Sequence, residues 1–243
     1  AAFPDDFRTS EELRDTDIAW AKATGGTTGR SKSAQQSQRS VTTLISAFHW
    51  CMPLPEGHVT LAATPMTHAA GNVALCVLAN GGTIVTLDKA DPLRILDAIE
   101  RHRVTTIFLP PTVVYSLIST PGVRERDHSS LRYMLFSAAP MSAEKLAEAL
   151  DIFGPVIAQG WGLSEAPLLC TFMSPSDYAD AAHNPEILNS CGRATAFARV
   201  DILAEDGTPA APGQVGELVV RSDLVMAGYL NRPDGNAKAL RNG

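Results

Sequence analysis

The residues best suited to chemistry in this sequence lie in a glycine- and threonine-rich segment, residues 24–33. The segment holds three threonines, three glycines and a lysine: Thr24, Thr27, Thr28, Gly25, Gly26, Gly29 and Lys32. Glycine lets the backbone adopt conformations closed to other residues and exposes its N–H groups. With threonine hydroxyls and a lysine charge added, such a segment is suited to closing around the outer phosphates of ATP.

Two other interpretations of this segment follow from its composition. It also fits a solvent-exposed turn, because glycine, serine and threonine cluster in loops. A Walker-type phosphate loop needs a glycine directly before its lysine. Ser31 holds that place here, so the segment does not indicate a kinase or a GTPase.

A second candidate segment, residues 160–165, ends in Ser164 and Glu165. Ser164 nearly matches the G-x-S-x-G turn that carries the nucleophile of some serine hydrolases. However, Ala166 stands where the second glycine belongs, and His183 follows Ser164 too soon to be presented from a later strand. A serine hydrolase using Ser164 is therefore a less favoured alternative. Taken alone, Glu165 also fits a solvated carboxylate.

Alternating strand and helix patterns surround these segments. Apolar, β-branched runs predict strands at residues 18–21, 59–63, 83–87, 104–109, 133–136 and 156–159. Helical spacing or capping predicts helices at residues 40–52 and 71–79, after Asp91, and from Ser142 to about Leu150. This alternation indicates crossover connections and an α/β fold with a largely parallel sheet and flanking helices.

The last part of the sequence has a different pattern. Residues 199–203 and 217–221 predict strands, residues 205–207 are typical of a hairpin turn, and no helix is predicted. We therefore predict an α/β core over residues 1–185, followed by a smaller β-rich subdomain over residues 186–243.

Composition and charge exclude several classes of function. The formal net charge is −6 with no block of lysine and arginine, which argues against nucleic-acid binding. The 4 cysteines lie far apart, so neither a disulfide scaffold nor a zinc site is indicated, and reduced thiols in the cytoplasm are expected. No apolar run reaches the roughly 18 residues that span a bilayer. The chain begins with Ala1 rather than methionine, which suggests a piece of a longer protein.

Several motifs occur in the order found in the adenylate-forming (AMP-binding) superfamily, which includes acyl-CoA synthetases. They are residues 24–33 (resembling T-S-G-T-T-G-x-P-K-G), 65–71 (P-x-x-H-x-x-G), 137–140 (G-A-A-P), 159–165 (G-Y-G-x-T-E), and 216–221 with 226–229 (G-E-[LI]-x-V-R…G-Y). The resemblance runs from about Ile18 onward. It implies part of the large N-terminal domain of such an enzyme, with residues 1–185 binding nucleotide and acyl group.

The resemblance also implies a role for each matching residue around the phosphates. Thr27, Thr28 and Lys32 would grip the β- and γ-phosphates of ATP within the glycine segment. Ser164 would donate its hydroxyl to the α-phosphate. Glu165 would help to hold Mg²⁺, a hard cation that prefers carboxylate and phosphate oxygens.

Other matching residues would bind the adenine and the acid. Trp161, between Gly160 and Gly162, would lie against the adenine. The turn formed by Ser137, Ala138, Ala139 and Pro140 would line the adenine and acyl region. His68 would sit near the carboxylate end of the acid pocket.

The implied reaction has two steps. The carboxylate of a small-molecule acid attacks the α-phosphorus of ATP, giving an acyl-adenylate and pyrophosphate. A thiol, that of coenzyme A by resemblance, then accepts the acyl group. The acid's identity and chain length are open, and a carrier-protein thiol is the alternative acceptor.

The sequence departs from the family pattern in places. Gly25 replaces serine, Ser31 replaces proline and Ser33 replaces the closing glycine, so the phosphate segment is expected to be looser. The family's ribose-binding aspartate, hinge and C-terminal lid with its catalytic lysine lie beyond this stretch. A non-catalytic nucleotide-binding or scaffold remnant of the same fold is therefore the main alternative to a ligase.

Overall fold

A computed structural model of the chain describes residues 13–24, 31–181 and 183–241. Much of the predicted phosphate segment lies outside these ranges, namely residues 25–30, which include Gly25, Gly26, Thr27, Thr28 and Gly29. Its two ends, Thr24 and Lys32, are described. The Thr24 amide donates a hydrogen bond of 2.8 Å to the carbonyl of Lys32, which brings those ends together.

A seven-stranded mixed sheet forms the centre of the fold, in the order β4-β3-β5-β6-β7-β8-β9. Its strands are β3 (Val59–Ala62), β4 (Thr83–Thr86), β5 (Thr106–Leu109), β6 (Tyr133–Phe136), β7 (Ile157–Trp161), β8 (Thr171–Met173) and β9 (Arg193–Ala194). The strands from β4 to β7 pair in parallel, whereas β8 and β9 add in antiparallel fashion. The predicted α/β fold with a largely parallel sheet is confirmed.

Helices cover both faces of this sheet. They are α1 (Gln38–Cys51), α2 (Ala69–Ala79), α3 (Pro92–His102), α4 (Pro111–Ile118), α5 (Ala143–Phe153) and the short α6 (Pro175–Tyr178). One apolar cluster packs α3, α4 and α5 against the sheet, and a second packs α1 and α2. Strand β5 alternates between them, since Ile107 and Leu109 enter the first cluster and Phe108 the second. A strand buried on both faces needs this continuous apolar run.

Two of these helices begin at the capping residues that the sequence predicted. Asp91 accepts a hydrogen bond of 3.0 Å from the amide of Arg94, and Pro92 occupies the first turn of α3. Ser142 accepts from the amide of Lys145 at the start of α5. Each cap satisfies an amide that has no partner within its own helix.

A small antiparallel sheet, β1-β2-β12, lies beside the central one. It consists of β1 (Ile18–Ala23), β2 (Ser33–Ser37) and β12 (Gly228–Tyr229). The predicted phosphate segment connects β1 to β2, so this sheet fixes both of its ends.

The last part of the chain contains the predicted hairpin, β10 (Arg199–Leu203) with β11 (Glu217–Arg221). The expectation of no helix there was wrong, because α7 spans Pro233–Ala239. Strands β9 and β12 come from this part but pair with β8 and β2. The division near residue 186 therefore stays a prediction.

Over the described ranges, every helix is too short or too polar to cross a bilayer.

Candidate functional site

A cavity of about 540 Å³ lies where β6 and β7 of the central sheet end. Ligands of open α/β sheets commonly bind at the carboxyl ends of the strands. The lining residues come from the small sheet, the start of α2 and the turns after β6 and β7: Lys22, Ala23, Thr24, Lys32, Thr67, His68, Ala69, Asn72, Ser137, Ala138, Gly162, Leu163, Ser164, Glu165, Pro167 and Leu168.

Many of the predicted site residues share this cavity. Those that line it are Thr24, Lys32, His68, Ser137, Ala138, Gly162, Ser164 and Glu165. Those that do not are Ala139, Pro140, Gly160 and Trp161. The remaining ones, Gly25, Gly26, Thr27, Thr28 and Gly29, lie outside the described residues.

Gly160 and Trp161 have packing roles at the end of β7. A Cβ atom added to Gly160 would lie 2.6 Å from the carbonyl oxygen of Leu168. The partly buried Trp161 packs on the second apolar cluster, and its carbonyl accepts a hydrogen bond of 2.9 Å from the amide of Cys170. Contact between Trp161 and adenine stays a prediction.

The turn after β7 presents Ser164 and Glu165 to the cavity. The Leu163 amide donates a hydrogen bond of 2.8 Å to the carbonyl of Ala166. Leu168, at the end of the turn, adopts a left-handed conformation with φ of 65°. Such a conformation is uncommon for a residue with a side chain and indicates that the surrounding packing holds it in place.

A buried side-chain amide, that of Gln36, holds this turn in place. Gln36, on β2, is fully buried, and its Nε2 donates a hydrogen bond of 2.8 Å to the carbonyl of Ser164. Its Oε1 accepts from Ser40 Oγ at 2.7 Å. Both polar ends of Gln36 are thus satisfied, and β2 is tied to the turn.

The turn after β6 carries backbone strain at the cavity wall. Ser137 is buried, whereas Ala138 is exposed with φ of 77°. For a residue with a Cβ this conformation costs about 1–2 kcal/mol. Strain of this kind tends to occur at ligand sites, and the role of the 137–140 turn in binding adenine and the acyl group stays a prediction.

Tyr229 contacts two of the charged side chains of the site, Glu165 and Lys32. Its hydroxyl donates a hydrogen bond to Glu165 Oε1, and Lys32 Nζ lies 4.7 Å from its ring centroid. Burial, and then the hydrogen bond to Glu165, raise the pKa of the Tyr229 hydroxyl to about 12, so it remains a donor at neutral pH. Sequence reasoning placed Tyr229 in a family motif but gave it no role.

Comparison with known proteins assigns the chain that forms this cavity to a protein family. A family model described as AMP-binding enzyme matches residues 2–230. The chain belongs to the AMP-binding enzyme family. The motifs that predicted this resemblance therefore identified the family correctly.

Relatives of this AMP-binding chain include acyl-CoA ligases. The medium/long-chain-fatty-acid–CoA ligase FadD8 of Mycobacterium tuberculosis is 37% identical over 220 residues, covering 90% of this chain and 38% of the relative. A feruloyl-CoA synthase of Amycolatopsis sp is 34% identical over 229 residues, covering 93% and 45%. The chain thus spans less than half the length of either relative.

A solved structure agrees with the fold. The o-succinylbenzoate coenzyme A synthetase (MenE) of Bacillus subtilis, in complex with ATP and magnesium ion, superposes with a TM-score of 0.84 at 26% identity. The match covers 95% of this chain and 46% of that one.

Lys22 is a cavity residue of this AMP-binding chain that sequence reasoning missed. Its Nζ donates a hydrogen bond to Oδ1 of Asn72 and lies 4.0 Å from the ring centroid of Trp20. Burial lowers the pKa of Lys22 to about 8, against an opposing effect of Cys76. The available signal was a lysine in an otherwise apolar strand, two residues before the phosphate segment.

A smaller apolar cavity of about 250 Å³ adjoins the main one. The two share His68, Ala69 and Ala138. The rest of its lining is Thr64, Pro65, Ala70, Phe108 and Pro110. It can therefore take an apolar group whose polar end reaches the main cavity.

Three cysteines of this AMP-binding chain are buried. Burial raises the pKa of Cys51, Cys76 and Cys170 to about 12, so they remain thiols at neutral pH. Over the described residues, no three metal-binding side chains of the His, Cys, Asp or Glu type cluster together.

Proposed function

We propose that the protein to which this chain belongs activates a carboxylic acid with ATP and transfers the acyl group to coenzyme A. The observation that carries this proposal is the single cavity that joins Thr24 and Lys32, at the ends of the phosphate segment, to Ser164 and Glu165. Membership of the AMP-binding family supports the proposal that ATP is the nucleotide bound in this cavity. The CoA ligases among its relatives support the acid and the thiol.

The nucleotide is proposed to lie along the main cavity. Lys32, with the glycine segment, neutralises the outer phosphates while pyrophosphate leaves. Ser164 donates its hydroxyl to the α-phosphate, where negative charge builds during attack. Fixed donors stabilise such charge because they need no reorganisation during the reaction. The 137–140 turn and Trp161 are proposed to bound the adenine.

Glu165 fits a magnesium ion. Its carboxylate supplies two hard oxygen donors, and Tyr229 orients one of them, Oε1, through a hydrogen bond. Mg²⁺ is commonly bound by one or two carboxylates together with substrate phosphates, which agrees with the lack of a larger acidic cluster among the described residues. When bound, the ion would neutralise charge on the phosphate oxygens.

The acid is proposed to enter through the smaller apolar cavity. Its carbon chain or ring would contact Phe108 and Ala70, and its carboxylate would emerge at His68. A carboxylate oxygen then bonds to the α-phosphorus as the bond to pyrophosphate breaks. In the second step the coenzyme A thiol releases its proton to solvent, its sulfur bonds to the acyl carbon, and the bond from that carbon to AMP breaks.

Isotope exchange between pyrophosphate and ATP tests this function directly. We expect the full-length protein to exchange labelled pyrophosphate into ATP only when a carboxylic acid such as octanoate or ferulate is supplied. A serine hydrolase would instead cleave an activated ester without ATP and lose that activity on Ser164→Ala. A nucleotide-binding remnant would bind ATP but show no exchange with any acid of a broad panel.

A pair of substitutions at Tyr229 separates its two contacts. Tyr229→Phe keeps the ring beside Lys32 but removes the hydrogen bond to Glu165, so we expect half-saturating Mg²⁺ to rise about tenfold. Tyr229→Leu removes the ring as well and should also raise the KM for ATP. Magnesium titrations of exchange, and of the thermal shift produced by ATP, provide the measurement. An unchanged magnesium requirement in Tyr229→Phe would contradict the orienting role.

A further inference from the structure

Lys22 places a second cation in the main cavity, apart from Lys32. It lies on β1, two residues before Thr24, and its ammonium reaches across to Asn72 on α2. Asn72 is buried and follows His68 by one helical turn. The Lys22–Asn72 pair therefore joins the strand that leads to the phosphate segment with the helix that carries His68.

Among the residues that the structure describes, the ammonium of Lys22 has no counter-ion. None of the ion pairs formed within the described residues includes it. An ammonium has three donor hydrogens, and the Asn72 oxygen accepts one of them. Lys22 is partly buried, and removing a charge from water without a counter-ion is costly, so a ligand that brings an anionic oxygen would stabilise this group.

Two anions could meet Lys22, a phosphate of the nucleotide or the carboxylate of the acid. The contacts favour the carboxylate. Lys22 is fixed by α2, which also supplies Ala69 to both cavities. Lys32 instead lies against Tyr229, which bonds Glu165. The side chains of the two lysines thus contact different elements: Lys22 contacts α2, which borders the acid cavity, and Lys32 contacts Tyr229, next to the predicted metal carboxylate.

We propose that Lys22, positioned by Asn72, binds the carboxylate of the acid substrate in the orientation from which it attacks ATP. This inference rests on the proposed function and adds a residue that selects an ionised acid over its neutral analogues. The ion pair holds one carboxylate oxygen while the other bonds to the α-phosphorus, and no proton moves in the step.

The electrostatics of the free protein agree with such a role. The pKa of folded Lys22, about 8, lies below its ordinary value of 10.5. The folded state therefore binds this proton less tightly, and the resulting cost is complete below about pH 8 and disappears as pH rises toward 10.5. A site that is destabilising when empty and useful when filled is typical of functional positions.

The test compares Lys22→Met and Asn72→Asp with an exposed control, Lys89→Met, in the full-length protein. The probe is octanoate or ferulate, whichever supports faster exchange, together with its primary amide. We expect Lys22→Met to raise the KM for the acid about 10- to 100-fold and to leave the KM for ATP unchanged. Asn72→Asp, which pairs Lys22 with an internal carboxylate, should act in the same direction.

Binding of the amide gives a readout that a merely structural role would not affect. Calorimetry should show the acid losing affinity in Lys22→Met while the amide binds as before. At pH 7 the melting temperature of Lys22→Met should lie about 2–4 °C above that of the unsubstituted protein. Lys89→Met should change neither the melting temperature nor the affinity for the acid.

Each alternative result overturns the inference. A higher KM for ATP with an unchanged KM for the acid would assign Lys22 to the nucleotide phosphates. Equal losses for acid and amide would indicate packing alone. If Lys22→Met changes neither the KM for the acid nor the KM for ATP while pyrophosphate exchange persists, the inference fails and the proposed function stands. Absence of exchange with every acid of the panel would overturn both.

Discussion

Replacing Glu165 by alanine is expected to lower the rate of adenylate formation at least about 100-fold while the protein remains folded. Removing one fixed group that stabilises transition-state charge typically costs a factor of 10²–10³. The fold should tolerate the change, because the side chain is only partly buried and its one hydrogen bond is to Tyr229. Exchange assays and thermal melts of the full-length variant measure the two quantities.

Two further variants sharpen this test. Glu165→Gln keeps the size and the acceptor oxygen but loses the charge, so we expect nearly the same loss of rate. Glu205→Ala removes an exposed carboxylate from the turn between β10 and β11 and should leave the rate unchanged. If Glu165→Gln were fully active, the carboxylate charge would have no part in the reaction, and the assignment of a metal to this residue would fail.

The parts of the fold that the sequence predicted well are those fixed by local pattern. Strand β6 was predicted with its observed bounds, because it is a short apolar run that begins and ends with aromatic residues of high β-propensity, Tyr133 and Phe136. Asp91 and Ser142 started their helices as expected, because a cap depends on only three or four neighbouring residues.

The elements that were missed depend on distant partners. Strand β2 reads Ser-Ala-Gln-Gln-Ser, and it extends because β1 and β12 pair with its two edges. Helix α4 was not predicted, because Pro110 and Pro111 directly follow the strand predicted at residues 104–109 and proline is commonly found where a strand ends. Proline is nevertheless well suited to the first turn of a helix, and Pro111 begins α4.

The candidate site also has a part that the sequence predicted and a part that it did not. Ordered motifs predicted the residues that meet in the main cavity, since each motif is continuous in sequence. The contacts that hold them are not continuous: Gln36 and Ser164 are 128 residues apart, Glu165 and Tyr229 are 64 apart, and Lys22 and Asn72 are 50 apart. Only the folded chain brings such pairs together.

Gly162→Ala is expected to lose most of the activity and about 3 kcal/mol of stability, through overpacking. The added Cβ would lie 2.3 Å from the Leu168 amide nitrogen and 2.6 Å from the Ala166 carbonyl oxygen. Both atoms belong to the backbone and cannot rotate away, so the turn carrying Ser164 and Glu165 must shift. A displacement of about 1 Å in such a site can cost a factor of 100 in rate.

Gly207→Ala separates this steric effect from the general cost of replacing glycine. Gly207 has φ of +80° and nothing within 4 Å of an added Cβ, so we expect a loss of about 1 kcal/mol from backbone strain and full activity. Denaturant unfolding and pyrophosphate exchange on both variants provide the comparison. If Gly162→Ala matched Gly207→Ala in both measurements, the turn after β7 would be more compliant than its contacts indicate. Close packing could not then be what positions Ser164 and Glu165.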